Sequence, residues 1–193
     1  MSSRLHVGAV VALAIVVFLT SVWATGGTVS LGWISLLGGT ITFVTLCLTL
    51  FNTWLWKLKW LQGWFVRRPH IWGIWNVTID SDWVDPTTNK TMLRSATFTI
   101  RQTYSSLQLR MTNSASVGDL LTSTLIENED GGFRLAAIYR NEPYLLNRPA
   151  SQIAYGALLL DVIGDAKRPD KLQGHYWTDR DTKGTIIATR QSN

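Results

Sequence analysis

The chain changes character at about Pro69. Before it lie two long apolar runs, residues 7–24 and 31–56, with almost no charge. After it come short segments in which apolar and polar residues alternate. Alternation at period two belongs to half-buried strands, and unbroken apolar runs belong to segments surrounded by apolar matter. The seam therefore divides the chain into residues 1–69 and a small all-β domain, residues 70–193.

Charge supports the division. The net charge of +5 invites a nucleic-acid reading, but its location argues against a DNA or RNA polymer as partner. All 13 acidic residues follow His70, as do all the basic ones except Arg4, Lys57, Lys59, Arg67 and Arg68. The β domain is thus electrically balanced, and the excess flanks the apolar runs, as in a membrane topology signal. Cys47 stands alone, so no disulfide staples the fold.

A transmembrane helix needs about 20 apolar residues, and both runs meet that length or come close to it. The expectation is a two-helix transmembrane hairpin, with the uncharged loop 25–30 on the side away from Lys and Arg. The positive-inside rule then places the protein in a membrane as a multi-pass protein with both termini cytoplasmic. A cleaved signal peptide ending at Val22-Trp23-Ala24 is the competing reading, and it leaves 31–56 as a single span. Ser35, Gly38, Thr42, Thr45, Thr49 and Asn52 share one face of the second run. Such a stripe serves packing on the first helix, or contact with other copies. Trp56, Trp60 and Trp64 recur every four residues among Lys57, Lys59, Arg67 and Arg68, which predicts a helix continuing into the membrane interface until Pro69.

Eight strands are expected at 72–80, 92–102, 105–112, 119–127, 133–141, 152–164, 171–180 and 184–190. Turn chemistry separates most of them, as at Asp85-Pro86, Asp130-Gly131-Gly132 and Asn147-Arg148-Pro149. Trp75, Val77 and Ile79 oppose Asn76, Thr78 and Asp80; Leu135, Ala137 and Tyr139 oppose Arg134 and Arg140. One face is apolar and one wet, the pattern of an antiparallel sheet, and eight short strands predict an antiparallel eight-stranded β-barrel or a sandwich, the barrel removing both sheet edges. Some inward positions break the rule. Asn141 follows Tyr139 inward, and Gly174, Tyr176, Thr178 and Arg180 share a face. Polar groups there are either solvated at a barrel mouth or reserved for a polar, anionic ligand.

Catalysis is not expected: the histidines are scattered, and there is no metal-ligand spacing, phosphate loop or nucleophile elbow. Neither catalytic nor metal-binding residues are therefore assigned.

The tail reads Tyr139-x-Asn141-x-Pro143, then Tyr155-Gly156, then Leu172-x-Gly174-x-Tyr176-x-Thr178-x-Arg180 and Gly184. With two N-terminal apolar runs, it resembles the two-transmembrane, β-strand-rich effectors of bacterial anti-phage cyclic-oligonucleotide signalling (CBASS). The resemblance implies a membrane effector of the bacterial inner membrane whose cytoplasmic barrel binds a cyclic dinucleotide and needs no cofactor. A partner nucleotidyltransferase makes the ligand, binding drives homo-oligomerisation, and the effector then disrupts the lipid bilayer. It points to Tyr139, Asn141, Tyr176, Thr178 and Arg180 as ligand-binding residues, with Gln102, Ser114 and Ser116 as weaker additions. Tyr155 stands where the resemblance leads one to expect histidine. Gly73-x-Trp75 is also similar to the first strand of lipocalins, where the tryptophan plugs the barrel base. The alternative function is accordingly a membrane-anchored, lipocalin-like binder of a small apolar ligand, without effector activity.

Overall fold

A computed structural model describes residues 2–24, 26, 32–84, 91–149, 151–165 and 167–191, without the side chains of residues 2–9, 32–37 and 92. The chain forms two compact units, Met1–Arg67 and Arg68–Asn193.

The first unit holds helices α1 (Ser2–Ala24) and α2 (Gly32–Thr53) and a 3₁₀ turn at Leu55–Lys57. Among the described residues, no helix is long and apolar enough to cross a membrane. Polar residues dilute both helices, as Thr20 and Ser21 do in α1. Thr40, Thr42, Thr45, Thr49 and Asn52 further dilute the second. The two-helix transmembrane hairpin is therefore corrected, and with it the multi-pass inner-membrane placement with cytoplasmic termini. The expected loop at 25–30, apart from Gly26, lies outside the described residues, as does the side chain of Ser35.

The threonines of the stripe on α2 are not covered within this chain. Thr42, Thr45 and Thr49 are exposed and donate to carbonyls of their own helix, those of Gly38, Ile41 and Thr45. The covered face carries Thr40, Val44, Cys47 and Phe51 instead. Nor does a helix continue beyond Thr53. Gly63 takes φ +104°, the amides of Phe65 and Val66 turn back to the Leu61 carbonyl, and a bridge joins Gln62 to Val66. Four-residue tryptophan spacing suits a helix, but a glycine in left-handed backbone ends one.

The second unit is a closed barrel of eight antiparallel strands in sequence order. They are β1 (Gly73–Val84), β2 (Thr91–Gln102), β3 (Leu107–Thr112), β4 (Ser116–Glu127), β5 (Phe133–Pro143), β6 (Ala154–Ile163), β7 (Lys171–Thr178) and β8 (Lys183–Arg190). The pairing of β8 with β1, from Trp75 opposite Arg190 to Ser81 opposite Gly184, closes the ring and removes both sheet edges. The expected alternation is realised: Trp75, Val77, Ile79, Leu109, Leu135, Ala137 and Tyr139 all lie in the buried core. Eight strands enclose just enough room for side chains, and Trp75, Phe98, Ile100, Leu135, Leu160 and Leu172 fill it. On the outside, Arg110–Asp119 and Arg134–Asp161 face each other across strands, at 3.5 and 2.6 Å. The turn expected at Asp85-Pro86 lies outside the described residues.

One end of the barrel is shut. Residues 68–72 lead into β1 and are fastened there by Arg190. Its guanidinium lies 4.4 Å from the Trp75 ring centroid. It donates from Nε to the Pro169 carbonyl (2.8 Å), from Nη2 to that of His70 (2.8 Å) and from Nη1 to that of Trp72 (2.5 Å). Trp75 Nε1 donates to the Ile71 carbonyl at 3.0 Å. Three charge-assisted bonds and a ring contact make this the most heavily fastened end of the barrel.

Candidate ligand-binding site

Adjacent strands run in opposite directions, so the last residues of β5 and β7 and the first of β4, β6 and β8 meet at the end opposite Arg190. The five residues to which the resemblance points first, Tyr139, Asn141, Tyr176, Thr178 and Arg180, gather there.

Tyr139 and Tyr176 point inward from β5 and β7 and are almost wholly buried. They fit because glycines face them. A Cβ on Gly156, in the strand between them, would lie 2.6 Å from the Tyr139 Cζ and hydroxyl oxygen. A Cβ on Gly184 would lie 2.9 Å from Tyr176 Cε1. Asn141 stands opposite a third glycine, Gly118, and its Oδ1 is buried without a hydrogen-bond partner. A buried amide oxygen left unpaired costs about 1–3 kcal/mol. A register shift in the β4–β5 pairing between Leu120 and Thr122 falls beside Tyr139. Bulges of this kind re-aim neighbouring side chains.

Thr178 and Arg180 flank the β7–β8 turn. The Thr178 and Thr182 hydroxyls share a 2.7 Å hydrogen bond, and the Arg180 amide donates to Thr178 Oγ1 at 3.3 Å. β7 ends at Thr178, so Arg180 is an exposed turn residue and not the inward strand residue its spacing suggested. It pairs with neither Asp179 nor Asp181. Asp179 accepts from the Tyr155 amide at 3.1 Å, and Arg180 Nη1 donates to Ser151 Oγ at 3.0 Å. Among the described residues, Arg180 has no ion pair.

The remaining candidates lie elsewhere or are otherwise engaged. Gln102 is buried at the shut end, where its amide donates to the Pro69 carbonyl and accepts from the Ile71 amide, both at 2.9 Å. Ser116 opens β4 with its hydroxyl donating to Asn113 Oδ1, and Ser114 is exposed. Tyr155 faces outward, half exposed.

Burial raises the Tyr139 phenol well above the ordinary tyrosine value of about 10; Tyr176 adds to the shift, Arg180 opposes it and Asp179 adds to it. The folded barrel thus holds this proton at pH values where the unfolded chain has released it. The resulting stability is complete below about pH 10 and is lost as pH rises further. Tyr104, also raised by burial, acts in the same direction. Tyr139→Phe is therefore expected to flatten, without abolishing, the alkaline fall in thermal stability. Parallel melting curves for both proteins from about pH 9.5 to 11 would contradict it.

Residues 66–190, more than half of the chain, match the family model described as Cap15, cyclic dinucleotide receptor domain. The chain belongs to this family. No curated protein matches it. The Cap15 match covers the whole barrel with its lead-in, and it bears out the resemblance to CBASS effectors as far as the receptor domain. It marks the barrel as a ligand-binding domain. Within this Cap15 domain, the three glycines opposite Asn141, Tyr139 and Tyr176 went unassigned in the sequence, although Gly156 and Gly184 stand in its tail motif. Inward alternation through Gly156, Leu158 and Leu160 is the signal that could have found the first of them. Ser151 gave no signal, because its bond to Arg180 spans 29 residues.

Proposed function

We propose that the end of the barrel opposite Arg190 binds a cyclic dinucleotide supplied by a partner nucleotidyltransferase. Arg180 grips a phosphate, Asn141 Oδ1 and Thr178 read base edges or ribose hydroxyls, and the nearly buried Tyr139 and Tyr176 form the aromatic floor beneath them. The observation carrying this reading is the meeting of a guanidinium free of ion pairs with two inward tyrosines and an unpartnered buried oxygen at one end of a Cap15-type barrel. The lipocalin-like alternative has no such support, because Trp75, Phe98 and Leu135 fill the interior that an apolar ligand would need.

Binding then drives assembly of copies, and the assembled protein acts on a lipid bilayer as an effector of anti-phage defence. Two features support these steps. Leu145 and Leu146 stand 75% and 94% exposed on a 3₁₀ turn beside that end, held by Asn147 Nδ2 donating to the Ala115 carbonyl at 3.0 Å. Trp54, Trp60 and Trp64 are largely exposed among Lys57 and Lys59, and no acidic residue precedes Asp80.

The test is a panel of cyclic dinucleotides titrated into the full chain and read by thermal shift and calorimetry, with light scattering for size. One member is expected to raise the melting temperature and the apparent mass. A complete panel without a thermal shift overturns the reading.

A further inference from the structure

We infer that Ser151 is a positioning residue for Arg180, and that the connection between β5 and β6 is fastened or loosened by what Arg180 holds. The inference rests on the ligand reading above.

An exposed arginine on a turn explores many rotamers, and the side-chain entropy lost opposes any single grip. At Arg180 the geometry reduces that freedom. The turn is fixed at its base: the Asp179 amide donates to the Tyr155 carbonyl at 2.9 Å, and the Asp179 carboxylate accepts from the Tyr155 amide. Thr178 and Thr182 tie its two sides together. The guanidinium is then held at its tip by Ser151. That bond uses one N–H of five and leaves the Nε–Nη2 edge available for a two-point grip on a phosphate.

The bond works in both directions. The first half of the β5–β6 connection is held by two contacts to the Ala115 carbonyl, from the Tyr144 amide and from Asn147 Nδ2, at 3.0 Å each. Arg148 adds contacts to Glu142 and the Pro143 carbonyl. The second half has less. The Ser151 amide donates to the Asn147 carbonyl at 2.9 Å, and the Ser151 hydroxyl accepts from Arg180. A phosphate that immobilises Arg180 strengthens the second of these contacts. Occupancy is thereby passed to the connection that presents Leu145 and Leu146.

Ser151 does not reach the ligand in this scheme; it acts through Arg180. The experiment uses the full chain as wild type, Ser151→Ala, Ser151→Thr and Arg180→Ala. The probe is whichever cyclic dinucleotide gives the thermal shift described above. Without ligand, hydrogen exchange in the peptide containing Ser151 is expected to be faster in Ser151→Ala and Arg180→Ala alike, since each removes the same bond. Ligand is expected to slow that exchange in the wild type. Ser151→Ala is expected to bind about three- to tenfold more weakly, chiefly through a slower association rate, and Ser151→Thr is expected to restore affinity. Exchange equal to wild type in both ligand-free variants overturns the tether, whatever the ligand does. Ligand bound with wild-type affinity by Ser151→Ala overturns the positioning role while leaving the ligand reading intact. A wild type that binds no cyclic dinucleotide overturns the ligand reading and the inference with it, even where the ligand-free exchange reveals the bond.

Discussion

Arg180→Ala is expected to weaken cyclic dinucleotide binding by about 10- to 150-fold, corresponding to about 1.5–3 kcal/mol for hydrogen bonds to a charged group. The barrel itself should stay folded. Arg180 is exposed on a turn, its side chain spends one bond on Ser151, and it fills no part of the core. The loss therefore reads out at the ligand, in calorimetric affinity, with an unchanged melting temperature for the ligand-free protein. Arg180→Lys is expected to recover only part of the loss, because an ammonium keeps the charge but not the planar fork. Raising salt should weaken the wild type more than Arg180→Ala, since exposed charge pairs are screened. Equal affinity of wild type and Arg180→Ala would remove Arg180 from the site, and equal salt dependence would remove the phosphate contact.

The barrel was legible because two signals agree in it. Trp75, Val77 and Ile79 alternate with polar residues, and turn residues punctuate the strands, so period and boundaries point the same way. Strand ends were less legible, since backbone pairing runs past the alternating residues: β1 continues to Val84 and β4 begins at Ser116. The site divides along the same line. The inward register of Tyr139, Asn141 and Tyr176 is a local property that alternation reads, while their assignment to a site came from the resemblance. Gln102 was grouped with them although alternation gives a face and not an end. It closes β2, whose C-terminal residue lies at the end of the barrel opposite that of β5. Arg180 was placed inward by extending β7 two residues too far. The glycines opposite Asn141, Tyr139 and Tyr176 show their purpose only once neighbouring strands are in register, and Ser151 only once two distant turns meet. In the first unit, the apolar runs were read by length and flanking charge. The hydroxylic residues of α2, noted there as a stripe, dilute its apolar run, and the backbone of Gly63 ends the helix expected after it.

Trp75→Ala is expected to destabilise the barrel by about 3–5 kcal/mol, the cost of deleting a fully buried large aromatic side chain. For a domain of this size, that lowers the melting temperature by about 10 °C or more. The loss has three sources at the shut end. The ring fills the space between the sheet and Ile71, its Nε1 satisfies the Ile71 carbonyl, and its face supports the Arg190 guanidinium. Trp75→Phe separates them. Phenylalanine keeps most of the packing and an aromatic face but leaves the buried carbonyl without its donor, a cost of about 1–3 kcal/mol. Chemical denaturation followed by strand circular dichroism should rank the proteins wild type, Trp75→Phe, Trp75→Ala, with the phenylalanine variant between the other two. Trp75→Phe as unstable as Trp75→Ala would assign the whole effect to the hydrogen bond. Trp75→Phe as stable as wild type would assign it to packing. At temperatures where Trp75→Phe remains folded, its affinity for the ligand should match the wild type, because Tyr139, Tyr176 and Arg180 lie at the other end of the strands. A loss of affinity in the folded variant would mean that the two ends of the barrel are coupled through its core.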